Sequence, residues 1–426
     1  MTINIITLGC SKNNVDSEVL AAQLTKSGHV GYHNSTAEEG IDAVVINTCS
    51  FIQDAKSQAI DEILLQIQRK KSGQIKQVFI IGCLAQRYEN DLRESLPEVD
   101  GIYPFAKLGE LLHSPKFDLL AHSDRILSTP SHYAYLKVSE GCDRQCSYCA
   151  IPLIRGKQVS KPVERLVDEA EKLAESGVKE LMLIAQDLTA YGLDLYQRRD
   201  LERLLRKIAQ VKGIEWIRLH YAYPINFPYE ILDVMNEYSN ICRYIDIPLQ
   251  HISEEILKSM NRGGTPAQTY RLLERIRAKV PGIAIRSTLI SGYPTETREQ
   301  HNELMKFVED IQFDRLGFFS YSQEEGTPAY ELGDPIKERE KNRRMEELIA
   351  LQEKISFQLN QKKIGSAFKV MIDAEDDRYY IGRTEFDSPE VDDSVLISKK
   401  EKLQIGEFYS VLIEKADHFD LYGKRI

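Results

Sequence analysis

The sequence predicts an α/β protein in three parts: an N-terminal open parallel α/β sheet, a central partial (βα)6 TIM-like barrel, and a small C-terminal antiparallel β-barrel of the oligonucleotide-binding kind. Three observations carry this prediction. Apolar runs of strand length alternate with helical spacing over the first hundred residues, about six more strand and helix units follow, and the last sixty residues change to short alternating strands. At roughly 150 residues per domain, a chain of 426 residues has room for three units.

The first part spans 1–120. Its apolar runs fall at 3–8, 43–46 and 78–81, with helical spacing over 16–24 and 55–67 between them. Strands alternating with helices give a parallel sheet with right-handed crossovers. Each run stops just before a cysteine, in Leu8-Gly9-Cys10, Asn47-Thr48-Cys49 and Gly82-Cys83. Loops after parallel strands gather at one edge, where doubly wound folds bind ligands. Cys10, Cys49 and Cys83 should therefore meet there, although each alone reads as an ordinary buried thiol.

Residues 121–131 read as a linker, and 132–360 as the central part with a trailing helix. Strands are expected at 134–138, 180–185, 215–219, 244–247, 283–290 and 316–320. Six units are too few for a closed eight-stranded barrel, so the barrel should be open, with its active edge at the strand C-termini. Pro162 opens a helix that Gly177 stops, and another runs from Ser253 to near Gly263.

Cys142, Cys146 and Cys149 follow the first of these strands. A structural zinc site closes four ligands, and a ferredoxin run repeats C-x-x-C with a fourth cysteine nearby. The spacing here, three residues then two, matches neither. Three thiolates can hold an iron–sulfur cluster while one iron stays open to the amino and carboxylate groups of a small molecule. Cys242 stands apart as a structural or incidental thiol.

Polar residues at the other strand ends are candidates for holding a cofactor: Gln186 and Asp187 after the second strand, Gln250 after the fourth, and Arg286 and Gly292 on the fifth. Gly292 would let the backbone approach a ligand, and Glu296 could order that loop. A cap or barrel-layer hydrogen bond explains each polar residue equally well, and better in the case of His251.

From Asp334 a charged segment reads as a helix, with Asp334 as cap and Pro335 as its first residue. Its Lys-Glu-Arg-Glu-Lys-Asn-Arg-Arg run carries mixed signs, which suits a solvated face better than a nucleic-acid patch. Residues 361–426 form the third part, with strands expected at 368–372, 379–384, 394–397 and 408–414 among five or so. Small barrels of this kind often bind RNA. From Ile364 onward, however, fourteen acidic side chains face nine basic ones, which favours a basic protein partner over nucleic acid.

The net charge of -10 argues against broad attraction to nucleic acid or anionic membrane. No run approaches the roughly 18 to 20 apolar residues of a membrane span, and the N-terminus lacks a basic leader. Seven cysteines, an odd number, suit reduced thiols and metal ligation. A cytoplasmic protein is expected.

The cysteine loop resembles that of the radical S-adenosylmethionine (SAM) superfamily, C-x-x-x-C-x-aromatic-C, with Tyr148 in the aromatic slot that lies against the adenine. Over about its full length the chain is similar to the methylthiotransferase family within it. The resemblance rests on Leu8-Gly-Cys-Ser-Lys-Asn, Asn47-Thr-Cys, Gly82-Cys, and Ser139-Glu-Gly-Cys-Asp-Arg-Gln-Cys-Ser-Tyr-Cys-Ala-Ile-Pro-Leu-Ile-Arg-Gly156. It implies a TRAM module at the C-terminus and two 4Fe-4S clusters. One, on Cys142, Cys146 and Cys149, would bind SAM and yield a 5′-deoxyadenosyl radical once an external one-electron reductant such as flavodoxin or ferredoxin supplies the electron. The other, on Cys10, Cys49 and Cys83, would provide sulfur. No catalytic acid or base beyond the cluster ligands is expected, since no group makes the target C–H bond acidic.

Ala150-Ile-Pro-Leu-Ile-Arg-Gly and Phe319-Ser-Tyr-Ser-Gln-Glu-Glu-Gly-Thr-Pro328 resemble the branch that methylthiolates the β-carbon of an aspartate in small-subunit ribosomal protein uS12. Branches acting on transfer-RNA adenosine tend to show Pro-x-Thr-Arg-Gly in the first run. The transfer-RNA reaction is the nearest alternative, a non-enzymatic iron–sulfur carrier is a more remote one, and a zinc-binding adaptor is weaker still.

Overall fold

The computed structural model describes residues 1–35, 40–112, 114, 117–120 and 122–426, so the linker's Ala121 lies outside the described residues. The N-terminal sheet has five parallel strands, Thr2–Thr7, Val30–His33, Ala43–Thr48, Gln77–Gly82 and Gly101–Tyr103, in the order second, first, third, fourth, fifth. All six residues of the central strand Ala43–Thr48 are buried, because helices cover both faces. Ala43 and Val45 pack on Leu20 and Leu24 of the helix Ser11–Lys26, while Val44 and Ile46 pack on Ala59, Ile63 and Ile67 of Gln53–Lys71. The two outer strands had no apolar run to reveal them; Val30–His33 is half exposed along its length.

The first helix begins at Ser11, five residues before its apolar spacing does. Its first turn is polar yet buried, with Lys12, Asn13 and Asp16 all covered, because the barrel sits over it. The helix packs along the first barrel strand, with Val15 among Tyr133, Tyr135, Met182 and Ile184.

The central part has six parallel strands in consecutive spatial order: Tyr133–Lys137, Glu180–Ile184, Trp216–Leu219, Ile241–Asp246, Ala284–Ser291 and Arg315–Ser320. First and sixth do not pair, so the barrel is open. A two-residue ribbon pairs Ser139 with Ser160 and Glu140 with Val159, which pinches the cysteine loop at its base. The charged helix runs Glu338–Gln361 with Lys337 as cap, three residues later than its Asp-Pro signal. Asp334 instead accepts the buried Lys341 ammonium at 2.5 Å. That run is also less solvated than its mixed charges imply, since Arg344 is buried against Glu296 at 2.8 Å.

The C-terminal part is a closed five-stranded barrel, Ala367–Glu375, Tyr379–Thr384, Ser394–Ser398, Phe408–Ala416 and Asp420–Arg425. Four of its ladders are antiparallel, but the pair that joins Ser394–Ser398 to Asp420–Arg425 is parallel. Its segment between Thr384 and Asp393 reaches into the open barrel. There Asp387 and Asp393 meet Arg315, Asp392 meets Arg286 at 3.3 Å and the Tyr244 hydroxyl at 2.9 Å, and Ser388 meets His220 at 3.2 Å. Met371 and Phe408 pack on Trp216, Tyr244 and Ala284 from the same side. Much of the acidity of this module is thus committed inward.

Arg383 joins the two barrels at depth, paired with Glu180 of the second strand and with Asp373 at 2.7 Å. Without Arg383 the buried Glu180 would keep one of its two guanidinium partners, Arg218 at 2.8 Å, and Asp373 would lose its own. That puts the cost at the low end of the roughly 3–5 kcal/mol for breaking a buried pair. Arg383→Met should therefore destabilise the protein by about 3 kcal/mol in urea unfolding. Lys399→Met, which removes a surface pair with Glu375, should cost under about 1 kcal/mol.

Candidate active site

Asn13 ties the three cysteine-bearing loops of the N-terminal sheet together. Its amide donates to the carbonyls of Leu8 at 2.8 Å and Thr48 at 3.1 Å, and its backbone carbonyl accepts from the Asn47 amide at 3.0 Å. The Cys83 thiol points at its side-chain oxygen at 3.8 Å. Gly9 has φ +92°, and a Cβ there would lie 2.9 Å from the Cys49 sulfur, so only glycine lets the first loop come this close to the second. Cys10, Cys49 and Cys83 are near enough to act on one another electrostatically, and burial pushes the Cys83 thiol up to about 12.

The second trio lies beyond the first barrel strand. Gly141, at φ +77°, has the Lys157 carbonyl 2.1 Å from where a Cβ would stand, so the loop closes on itself only with glycine. Burial raises Cys142 to about 11 and Cys149 to about 12, with a smaller push on Cys142 from Cys146 and on Cys149 from Cys146 and Cys142. Arg262 is wholly enclosed among these residues. Its guanidinium lies 3.5 Å from the Cys146 sulfur and 2.9 Å from the Tyr148 hydroxyl, and its centre is 4.7 Å from the Tyr223 ring.

Arg155 joins the two trios. It closes the short helix Ile151–Arg155 just after the cysteine loop, and its guanidinium reaches the N-terminal sheet: 2.5 Å to Asn13, 2.6 Å to Asp16 and 3.5 Å to the Cys83 sulfur. On its own side it meets Glu140 at 3.1 Å, and Lys137 bridges Glu140 and Asp16. Burial alone would raise Glu140, but Arg155 and Lys137 hold it at about 2. Cys83 packs on Ala150 and Ile154 of the same helix. One buried two-acid, two-base group therefore fixes one trio against the other.

The remaining candidates occupy different heights. Tyr148 packs among Ile256, Met260, Ile290 and Tyr293. Gln186 donates to Glu140 at 2.5 Å, which leaves its buried carbonyl oxygen without a partner. Gln250 sits at the active edge with φ +72°, a conformation costly for a residue with a side chain and concentrated at functional sites. Asp187 holds Arg144 at 2.9 Å. Arg286, low on its strand, is paired with Asp246 and Asp392, both at 3.3 Å. Gly292 faces Lys341, whose Cγ lies 2.6 Å from a notional Cβ, and its amide donates to Glu296. Glu296 also holds His251 at 3.2 Å and so orders the loop. Sequence reasoning gave no role to Asn13, Asp16, Lys137, Arg155 or Arg262. For the first four the signal is a polar or charged residue within a few positions of a cysteine motif, visible only once their burial is known; Arg262, more than a hundred residues beyond the cysteine loop, carries no such signal.

The donor sets suit a cluster better than an ion. Each trio of thiols has one buried guanidinium on a sulfur, the counter-charge that an anionic cluster body needs.

An open six-stranded barrel with three cysteines after its first strand defines a radical SAM protein. The Radical SAM superfamily matches residues 136–308, the family described as uncharacterized protein family UPF0004 matches 2–104, and the TRAM domain matches 364–426. The fold is similar to that of the radical SAM methyltransferase TsrM from Kitasatospora setae, solved with cobalamin and a 4Fe-4S cluster (TM-score 0.56, 17% identity, 77% of this chain and 76% of that one). Curated proteins named ribosomal protein uS12 methylthiotransferase RimO are similar over almost the whole chain. Those of Flavobacterium johnsoniae and Phocaeicola vulgatus are 52% and 51% identical, covering 99% of this chain and 97% and 98% of theirs. The chain belongs to the RimO family of radical SAM methylthiotransferases, enzymes of an iron–sulfur cluster and SAM. No helix among the described residues is long and apolar enough to cross a membrane.

Arg155→Met would leave Asp16 and Glu140 with Lys137 as their one shared cation. The expected loss is about 3 kcal/mol of stability in urea unfolding. Arg155→Lys should recover less than half of it, since one ammonium cannot span the same acceptors.

Proposed function

We propose that this protein adds a methylthio group to the β-carbon of an aspartate in small-subunit ribosomal protein uS12, and does so in the cytoplasm. The observation that carries the reading is the Cys83–Arg155 contact, which sets the Cys10, Cys49 and Cys83 trio directly against the helix that follows Cys142, Cys146 and Cys149. In this reading each trio holds one 4Fe-4S cluster. When bound, the clusters and SAM supply radical cleavage of the sulfonium and the sulfur that is transferred, and an external one-electron reductant such as flavodoxin or ferredoxin provides the electrons.

The chain's own residues position and exclude. Arg155, Asn13 and Asp16 hold the two sites in register, and Arg262 neutralises charge beside Cys146. Tyr148, Gln186 and Gln250 line the edge where SAM would lie. Gly292 shapes the loop that follows the fifth strand, and Arg286 braces the barrel wall below. Val15, Tyr135 and Met182 fill the barrel interior beneath the first helix and keep water from the reacting carbon. The TRAM module turns Glu375, Asp376 and Asp377 outward on a hairpin tip, carboxylates suited to a basic ribosomal protein.

The test is to incubate anaerobically reconstituted protein with reductant and SAM, and to analyse uS12 and transfer RNA by mass spectrometry. A methylthio group on the protein aspartate is expected; one on transfer RNA alone overturns the substrate. Replacing Cys10, Cys49 and Cys83 together by alanine should halve the iron and abolish methylthiolation while 5′-deoxyadenosine still forms. Full iron in that variant would contradict the second cluster.

A further inference from the structure

Lys12 is the one buried lysine without an anionic partner among the described residues. Of the other three, Lys137 meets Asp16 and Glu140, Lys161 meets Glu169 at 2.9 Å, and Lys341 meets Asp334. Lys12 is only 8% exposed, and its ammonium rests on the face of Tyr221, 3.3 Å from the ring centroid. That contact is worth at most a few kcal/mol, less than it costs to bury a charge with no counter-ion. Such a site is short of one anion.

The surroundings sharpen this. Lys12 shares the first helical turn with Asn13 and stands two residues after Cys10, so it lies between the N-terminal trio and the barrel's strand ends. Tyr221 follows the third barrel strand with φ +64°, a second non-glycine residue held in the left-handed region at this edge. His220 beside it is enclosed, and burial together with Arg218, Arg286 and Lys12 keeps it neutral. Arg218 is satisfied by Glu180 at 2.8 Å, and Arg286 by Asp246 and Asp392. Arg262 rests on the Cys146 sulfur and the Tyr148 hydroxyl, which leaves the Lys12 ammonium as the buried cation at this edge that meets only an aromatic ring.

We propose that Lys12 binds the side-chain carboxylate of the acceptor aspartate, and that this ion pair makes the enzyme select aspartate over asparagine. The inference rests on the uS12 reading above and deepens it. The β-carbon is bonded directly to the carboxyl carbon, so fixing the carboxylate fixes the carbon to be modified. A buried ammonium also rejects the neutral amide, which would leave it unpaired.

The experiment compares wild type, Lys12→Met and Lys12→Arg, each reconstituted and matched for iron content. Binding is measured by calorimetry with a peptide spanning the acceptor aspartate, with its asparagine counterpart, and with SAM. Wild type should prefer the aspartate peptide. In Lys12→Met its Kd should rise at least about tenfold, the scale of a lost buried charge pair, while the asparagine peptide binds no more weakly. Lys12→Arg should restore part of the preference. A Lys12→Met enzyme that still prefers the aspartate peptide, or that loses affinity for SAM instead, overturns the proposal and leaves the uS12 reading standing. A wild-type enzyme that ignores the peptide and modifies transfer RNA overturns that reading, and this one with it.

Discussion

The Arg155 guanidinium is the point on which the two halves of the site depend. It is enclosed on all sides and bonded to Asn13 and Asp16 of the first helix on one side and to Glu140, just after the first barrel strand, on the other. An enclosed charge tolerates little displacement of its partners, because each lost contact exposes a desolvated ion. A hydrophobic contact between the domains would permit sliding. This one imposes a register, and Cys83 is held against the cysteine-loop helix as a consequence.

The open barrel makes the same demand on a larger scale. Six strands leave an unclosed interior, and it is filled from two directions: by the first helix, through Val15 and Lys12, and by the TRAM segment that carries Asp387, Asp392 and Asp393. Both fillers bring charge as well as volume. The TRAM carboxylates cancel Arg286 and Arg315 low in the barrel, whereas Lys12 at the top is left uncancelled. The interior thus has a neutralised floor, with the Lys12 ammonium above it resting on the Tyr221 ring.

Much of this was legible in the sequence, for identifiable reasons. The central strands of both sheets are apolar on two faces and announce themselves by composition, as Ala43–Thr48 does. The cysteines were legible because thiol chemistry depends on spacing. The first turn of the first helix was not, since Lys12, Asn13 and Asp16 carry no apolar period and owe their burial to a domain more than a hundred residues away. Asp334 and Pro335 give a sound local start signal, but the pairing of Asp334 with Lys341 claims that aspartate before it can cap. The acidic TRAM count was correct as arithmetic and incomplete as a surface, because several carboxylates answer arginines of the barrel.

Electron paramagnetic resonance of the fully reduced, oxygen-free protein tests the facing arrangement most directly. Two clusters held in register by Arg155 should couple through space, which splits the spectrum, and replacing either cysteine trio by alanine should return a single unsplit signal. Two independent signals in the wild-type protein, or only one, would contradict the account.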